Sequence, residues 1–330
     1  MMKIAIDAMG GDFGHIPIVQ GALWALKEND FTLVLVGNKK VLQPLIPTHL
    51  YSKIEIVHCE DFIAMEDGAT SALKRKESSI FVAIEMLKNK EVEAIVSAGH
   101  SGATMSLATL KIGRLKNVLR PAICTFMPRI DGDKSLVLDV GANVDCKPEN
   151  LFEFGIMGYE YARAILGYSK IRIGLLANGE EECKGNDTTK SAFHLLKKHP
   201  YFIGNVEGNN IFDGNVDVIV CDGFVGNAVL KASEGVANSI SFLLKKHIKA
   251  SPAGIFGALF MKNVFGKLKK QIDYAEYGGA PLLGVNGNVI ICHGKSNAKA
   301  IKNAILQAIL AVQNDVNRHI ETALEQYQNL

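Results

Sequence analysis

The residues best suited to chemistry in this chain sit where apolar runs stop. Val218–Cys221 is a short apolar run, and Asp222, Gly223, Gly226 and Asn227 follow it before a helical pattern begins at about Ala228. In open α/β sheets ligands gather beyond the carboxyl ends of strands, so an acid, two glycines and an amide at such a junction suit a binding site. Asn227 offers a neutral donor of the kind that stabilises a developing oxyanion; its plainer role is a helix-start amide. The same grammar recurs at Asp7, Gly10, Gly11 and Asp12, at Gly99, His100, Ser101 and Gly102, at Asp139 to Asn143, and at Asn178 to Asn186. Paired glycines let main-chain N–H groups approach an anion, although a tight turn alone also uses them. Ser101 either opens an anion-binding helix start or is an ordinary N-cap. His100 is either a donor and acid–base group or a satisfied structural histidine. Lys184 follows Glu180, Glu181 and Glu182 and precedes Gly185 and Asn186. It is either half of a solvated ion pair or a cation that neutralises phosphate. Together these turns predict one polar cleft built from several strand ends.

The chemistry that is missing narrows the classes. No C-x-x-C or H-E-x-x-H spacing occurs, nor a G-x-S-x-G elbow, a Walker lysine or a G-x-G-x-x-G fingerprint. The expectation is an enzyme without metal or bound cofactor. A net charge of +2 over 330 residues excludes a basic nucleic-acid packer. The six cysteines are scattered, which fits buried reduced thiols in a cytoplasmic protein; Cys183, in a polar loop, is the one to test for reactivity. The amino terminus runs directly into a strand pattern without a signal-like apolar segment, and no spanning helix is expected.

Apolar runs at Ile4–Ala8, Thr32–Val36, Ile54–Val57, Ala94–Ser97, Ala122–Phe126, Leu136–Val140, Ile171–Leu176, Val218–Cys221 and Val289–Cys292 read as buried strands. Helical patterns lie between many of them, at Val19–Lys27, Ile80–Leu87, Leu151–Ile165, Ser191–Lys198 and Ala298–Gln313. This alternation predicts one α/β domain over 1–330, with a largely parallel sheet covered on both faces. One region departs from it. From about 235 to 272 the chain has no acid, while Lys245, Lys246, Lys249, Lys262 and Lys267 appear. After a long helix over Val225–Lys246, the uncharged run Pro252–Met261 carries Ile255, Phe256, Leu259 and Phe260. A helical excursion is expected there, broken near Gly257 or between Met261 and Gly266. Lysines bordering an apolar run suit an anionic membrane surface or an acidic partner; a dimer-interface or core helix is the competing reading.

Taken in order, Asp7–Asp12, Ser97–Ala103, Arg120-Pro121-Ala122, Leu138–Asn143, Gly179–Asn186, Gly204–Gly208, Cys221–Asn227, Tyr277–Val285 and His293-Gly294 resemble the bacterial phosphate acyltransferase family of phospholipid synthesis, PlsX. The resemblance runs over nearly the whole chain. It implies a three-layer α/β/α fold similar to phosphotransacetylases and isopropylmalate dehydrogenase-like proteins, assembled as a homodimer. It also implies attack of inorganic phosphate on long-chain acyl–acyl carrier protein, and a cytoplasmic protein peripherally associated with the membrane. Lys184 would then carry phosphate charge and Asn227 would orient the carbonyl. The Gly10-Gly11 and Gly99–Gly102 nests, with Asp7, Asp12, Asn143, Gly185, Asn186, Asp222 and Gly223, would bind substrate. The chain departs from the family's usual Asn-Thr at His100-Ser101, and from Asn-Ile-Gly at Ala177-Asn178-Gly179. Two other functions fit the same turns: a short-chain phosphotransacetylase using coenzyme A, and a non-catalytic regulator that binds a small anion or lipid precursor.

Overall fold

Short β-branched runs that alternate sides produce the sheet. In the computed structural model, residues 1–168 and 170–328 are described. The strands are β1 (Lys3–Asp7), β2 (Thr32–Gly37), β3 (Ile54–His58), β4 (Ala94–Ser97), β5 (Ala122–Pro128) and β6 (Lys134–Leu138). They continue with β7 (Ile173–Leu176), β8 (Phe202–Val206), β9 (Val218–Val220), β10 (Ala280–Leu283) and β11 (Asn288–Ile291). The helices are α1 (His15–Glu28), α2 (Lys39–Leu42), α3 (Ser79–Lys88), α4 (Ser101–Leu107), α5 (Pro148–Leu166) and α6 (Asp187–Leu196). After them come α7 (Asn210–Asp213), α8 (Gly223–Lys249), α9 (Pro252–Phe260), α10 (Lys262–Ile272), α11 (Ala298–Gln313) and α12 (Val316–Gln328).

All strands join one 11-stranded sheet, in the order β3-β2-β1-β4-β11-β10-β5-β6-β9-β7-β8. The first five strands in that order are mutually parallel, as are the last four. Antiparallel pairing of β11 with β10, β10 with β5 and β5 with β6 joins them. The two parallel halves therefore run in opposite senses. The expected strands are all present. Two more, β8 and β10, were hidden by Gly204-Asn205 and by Pro281 between glycines.

The two-residue period decides the layers. Ile4, Ile6, Leu33 and Leu35 face α1 and α11, whereas Ala5, Val34, Val36 and Ile95 face α3 and α4. In the other half Leu136, Leu138, Val218 and Val220 pack under α5, α6 and α12. Val137 and Ile219 face Ile211 of α7 and the root of α8 on the opposite side. The result is the α/β/α sandwich. Of the 27 residues of α8, only Gly223 and Gly226 are buried, and none of α9 is. The excursion is helical as expected. Its breaks fall at Ala250–Ser251, ahead of Pro252, and at Met261.

One packing contact sets an acid limit on stability. His199 is 5% exposed, stacked on Tyr327 at 5.5 Å and edge-on to Tyr159 at 4.8 Å. Its Nδ1 accepts the N–H of Tyr201 at 3.2 Å, and burial pushes its pKa down to about 4. The unfolded chain, with a histidine near 6.5, binds this proton first. Stability is therefore whole above about pH 6.5 and falls as pH drops toward 4. Melting temperature followed from pH 7 to 4.5 should decline more shallowly in His199→Asn than in the parent. Equal slopes would assign the acid sensitivity to another group.

Candidate active site

Close contacts gather the turns into two groups, one at the carboxyl edge of each half of the sheet. The sequence predicts one polar cleft from these turns; the strands that carry them belong to the two parallel halves, which run in opposite senses.

The first group follows β1, β4 and β11. Asp7 ends β1 and is 3% exposed; it accepts hydroxyls from Ser79 at 2.6 Å and Ser97 at 2.8 Å. Burial raises its pKa, and these hydroxyls with the N–H groups of Met9 and Gly10 oppose the rise. The two glycine turns then touch: a Cβ on Gly10 would lie 2.6 Å from Gly99 Cα, so only glycine fits. Gly99 N–H donates to Ser97 Oγ at 3.1 Å, and Asp12 N–H donates to Gly294 O at 2.8 Å. His100 caps α4, its Nδ1 accepting Ala103 N–H at 3.2 Å. An asparagine oxygen could cap the helix from the same position. The N–H groups of Gly11, Ser101 and Gly102 remain without an acceptor among the described residues.

The second group follows β6, β9 and β7, and Asp139 organises it. This carboxylate is 0% exposed and accepts five N–H bonds: Ile123, Gly141, Ala142 and Asn143 main chain, and Asn143 Nδ2, between 2.7 and 3.1 Å. Burial raises its pKa against those donors. Asn143 Nδ2 also reaches Pro121 O at 2.7 Å, and Asn143 O receives Gly223 N–H at 2.7 Å. A Cβ on Gly226 would lie 1.9 Å from Asp139 O, so α8 starts directly against this turn. Asp222 caps α8 by accepting Val225 N–H at 2.8 Å. After β7, Gly185 adopts φ 95° and donates to Asn178 Oδ1 at 2.8 Å, and Asn186 caps α6 through Thr189 N–H at 2.9 Å.

These bonds engage part of the expected site. The amide nitrogen of Asn143, the N–H groups of Gly185 and Gly223, one carboxylate oxygen of Asp222 and the amide oxygen of Asn186 are engaged inside the turns. These bonds shape the turns. Lys184 is exposed, with its stem over Gly179 and no carboxylate partner among the described residues; Glu182 pairs instead with Lys197 at 3.3 Å. Asn227 is exposed on the first turn of α8, about 4.0 Å from where a Cβ on Gly141 would stand, with no bond to its amide among the described residues. Sequence reasoning passed over Ser79, Ser97 and the central role of Asp139. Of these, only Asp139 had a local signal: an acid at a strand end, with glycine two and asparagine four residues on.

The continuous α/β/α sheet has the fold of the phosphotransacetylases. Phosphotransacetylase from Streptococcus pyogenes superposes with a TM-score of 0.66 over 95% of this chain and 94% of that one, at 15% identity. The sequence places the chain more narrowly. The family model described as fatty acid synthesis protein matches residues 2–319. Phosphate acyltransferase of Wolinella succinogenes is 66% identical, covering 97% of each chain, and that of Nitratiruptor sp. is 64% identical over 99% of this chain and 98% of its own. The chain belongs to this phosphate acyltransferase family, and it is a transferase enzyme.

The Asp139 hub is a stability element that can be measured. Asp139→Asn replaces an acceptor-only group by one that points N–H at N–H, leaving buried donors unmet at roughly 1–3 kcal/mol. Urea unfolding should show a loss of that size. A change below about 0.5 kcal/mol would mean that the turn does not depend on the carboxylate.

Proposed function

We propose that the chain makes acyl phosphate from long-chain acyl–acyl carrier protein and inorganic phosphate, and that Lys184 and Asn227 carry the reaction. The observation that supports this most is the unpaired ammonium of Lys184 on a turn whose neighbouring glutamates pair elsewhere or stay solvated. A phosphate oxygen attacks the thioester carbonyl, the C–S bond breaks, and the carrier leaves as thiolate to be protonated. Phosphate at neutral pH is already nucleophilic, so no covalent enzyme intermediate is required. Lys184 neutralises the attacking dianion, and the Asn227 amide donates to the oxygen that gains charge. Incubation with acyl carrier substrate should release thiol only when phosphate is present. Lys184→Ala and Asn227→Ala should each slow turnover by about 100-fold or more while melting normally. Phosphate-independent release would make the protein a thioesterase and overturn the assignment.

We further propose a cytoplasmic homodimer that touches anionic lipid through its excursion. No helix among the described residues is long and apolar enough to cross a membrane. Ile255, Phe256, Leu259 and Phe260 are between 55% and 78% exposed, and Lys245, Lys246, Lys249, Lys262 and Lys267 are exposed around them. Apolar burial together with attraction to anionic headgroups is how interfacial helices bind. In liposome flotation, Leu259→Glu or Phe260→Glu should abolish recovery with anionic vesicles yet keep the oligomer and its activity. Dissociation of the oligomer by the same substitutions would make this face a subunit contact.

A further inference from the structure

Arg120 is held in place with more care than an ordinary surface arginine. Its neighbour Leu119 donates N–H to Glu153 Oε2 at 2.8 Å, and the Arg120 N–H bonds to the same carboxylate. Glu153 is 8% exposed, on α5. The Arg114 guanidinium donates to Leu119 O, and Pro121 O accepts Asn143 Nδ2 at 2.7 Å. The main chain on both sides of Arg120 is thus tied down, on one side to the Asn143 turn that seats α8.

The guanidinium itself is nearly free. Arg75, Arg129, Arg163, Arg172 and Arg318 all pair with carboxylates. Arg120 is exposed, with no carboxylate partner among the described residues and one long bond, 3.4 Å, to Asp145 O. Asp145 O belongs to the same turn as Cys146, whose Sγ lies 3.6 Å from Asn143 O. A rigid base and an unspent planar fork beside the start of α8 match an oxyanion with two accessible oxygens.

We infer that Arg120 is a substrate-binding residue that grips phosphoryl oxygens at the rim of the second turn group. This rests on the proposed acyl transfer, in which such oxygens come either from inorganic phosphate or from the phosphodiester of the carrier's thioester arm. The full chain and its Arg120→Ala, Arg120→Gln and Arg120→Lys variants would be compared by steady-state kinetics, varying each substrate at saturation of the other. Arg120→Ala and Arg120→Gln should raise one KM by about tenfold or more with kcat changed less than about threefold. Lysine, a point charge without a fork, should restore only part of the loss. A rise confined to phosphate names inorganic phosphate as the ligand, and a rise confined to acyl carrier names the phosphodiester. Unchanged KM values for both substrates in variants with the parent melting temperature overturn the inference, as does a fall in kcat alone. Binding of inorganic phosphate and of free phosphopantetheine, read as a shift in melting temperature, separates the two proposals. If the parent binds either ligand but transfers no acyl group, and Arg120→Gln loses that binding, the acyl transfer fails and the arginine site stands.

Discussion

A carboxylate removed from water has to be surrounded by donors, and the fold spends that requirement twice. Asp7 closes β1 and Asp139 follows β6, each almost without exposed surface. Asp7 draws in Ser79 and Ser97, which lie 72 and 90 positions away. Asp139 draws in the turn after itself, the start of β5 and, through Asn143, the first residue of α8. An apolar residue at either position would leave those N–H and O–H groups unmet, and an unpaired charge there is costlier still. The buried acids therefore dictate the path of every turn that surrounds them.

With the turns fixed in this way, the tips are released for other work. Lys184 stands on the loop after β7 and Asn227 near the start of α8, and neither side chain makes a hydrogen bond or ion pair among the described residues, so neither is needed to hold the chain. This division differs from a site in which one residue both builds and reacts. It also explains why so many residues of suitable type near the strand ends are structural: a turn rich in Asn, Asp and Gly needs most of them to satisfy its own backbone.

The sheet was legible because its strands are short, apolar and buried on both faces, a pattern that needs no partner to be recognised. β10 was not, since Pro281 and the flanking glycines have the composition of a loop, and only pairing with β11 and β5 makes them a strand. The reversal of sense between the two halves has no local signature at all. Within the site, the residue types at strand ends were legible. Which donors remain free was not. That depends on bonds such as Asn143 to Pro121 and Glu153 to Leu119, which join segments 22 and 34 positions apart.

The strand order also has a consequence for how the molecule is made. β4 ends at Ser97, yet its second neighbour, β11, begins only at Asn288. At cellular synthesis rates that interval is on the order of ten to forty seconds. Throughout it β4 is an apolar edge with unpaired N–H and C=O groups, the kind of surface that pairs with whatever strand it meets. The last-made part of the sheet lies at its centre, so the nascent chain carries two half-sheets that can join only when β10 and β11 thread between them. A chaperone that shields strand edges, or slow release from the ribosome, would act on this protein at that gap.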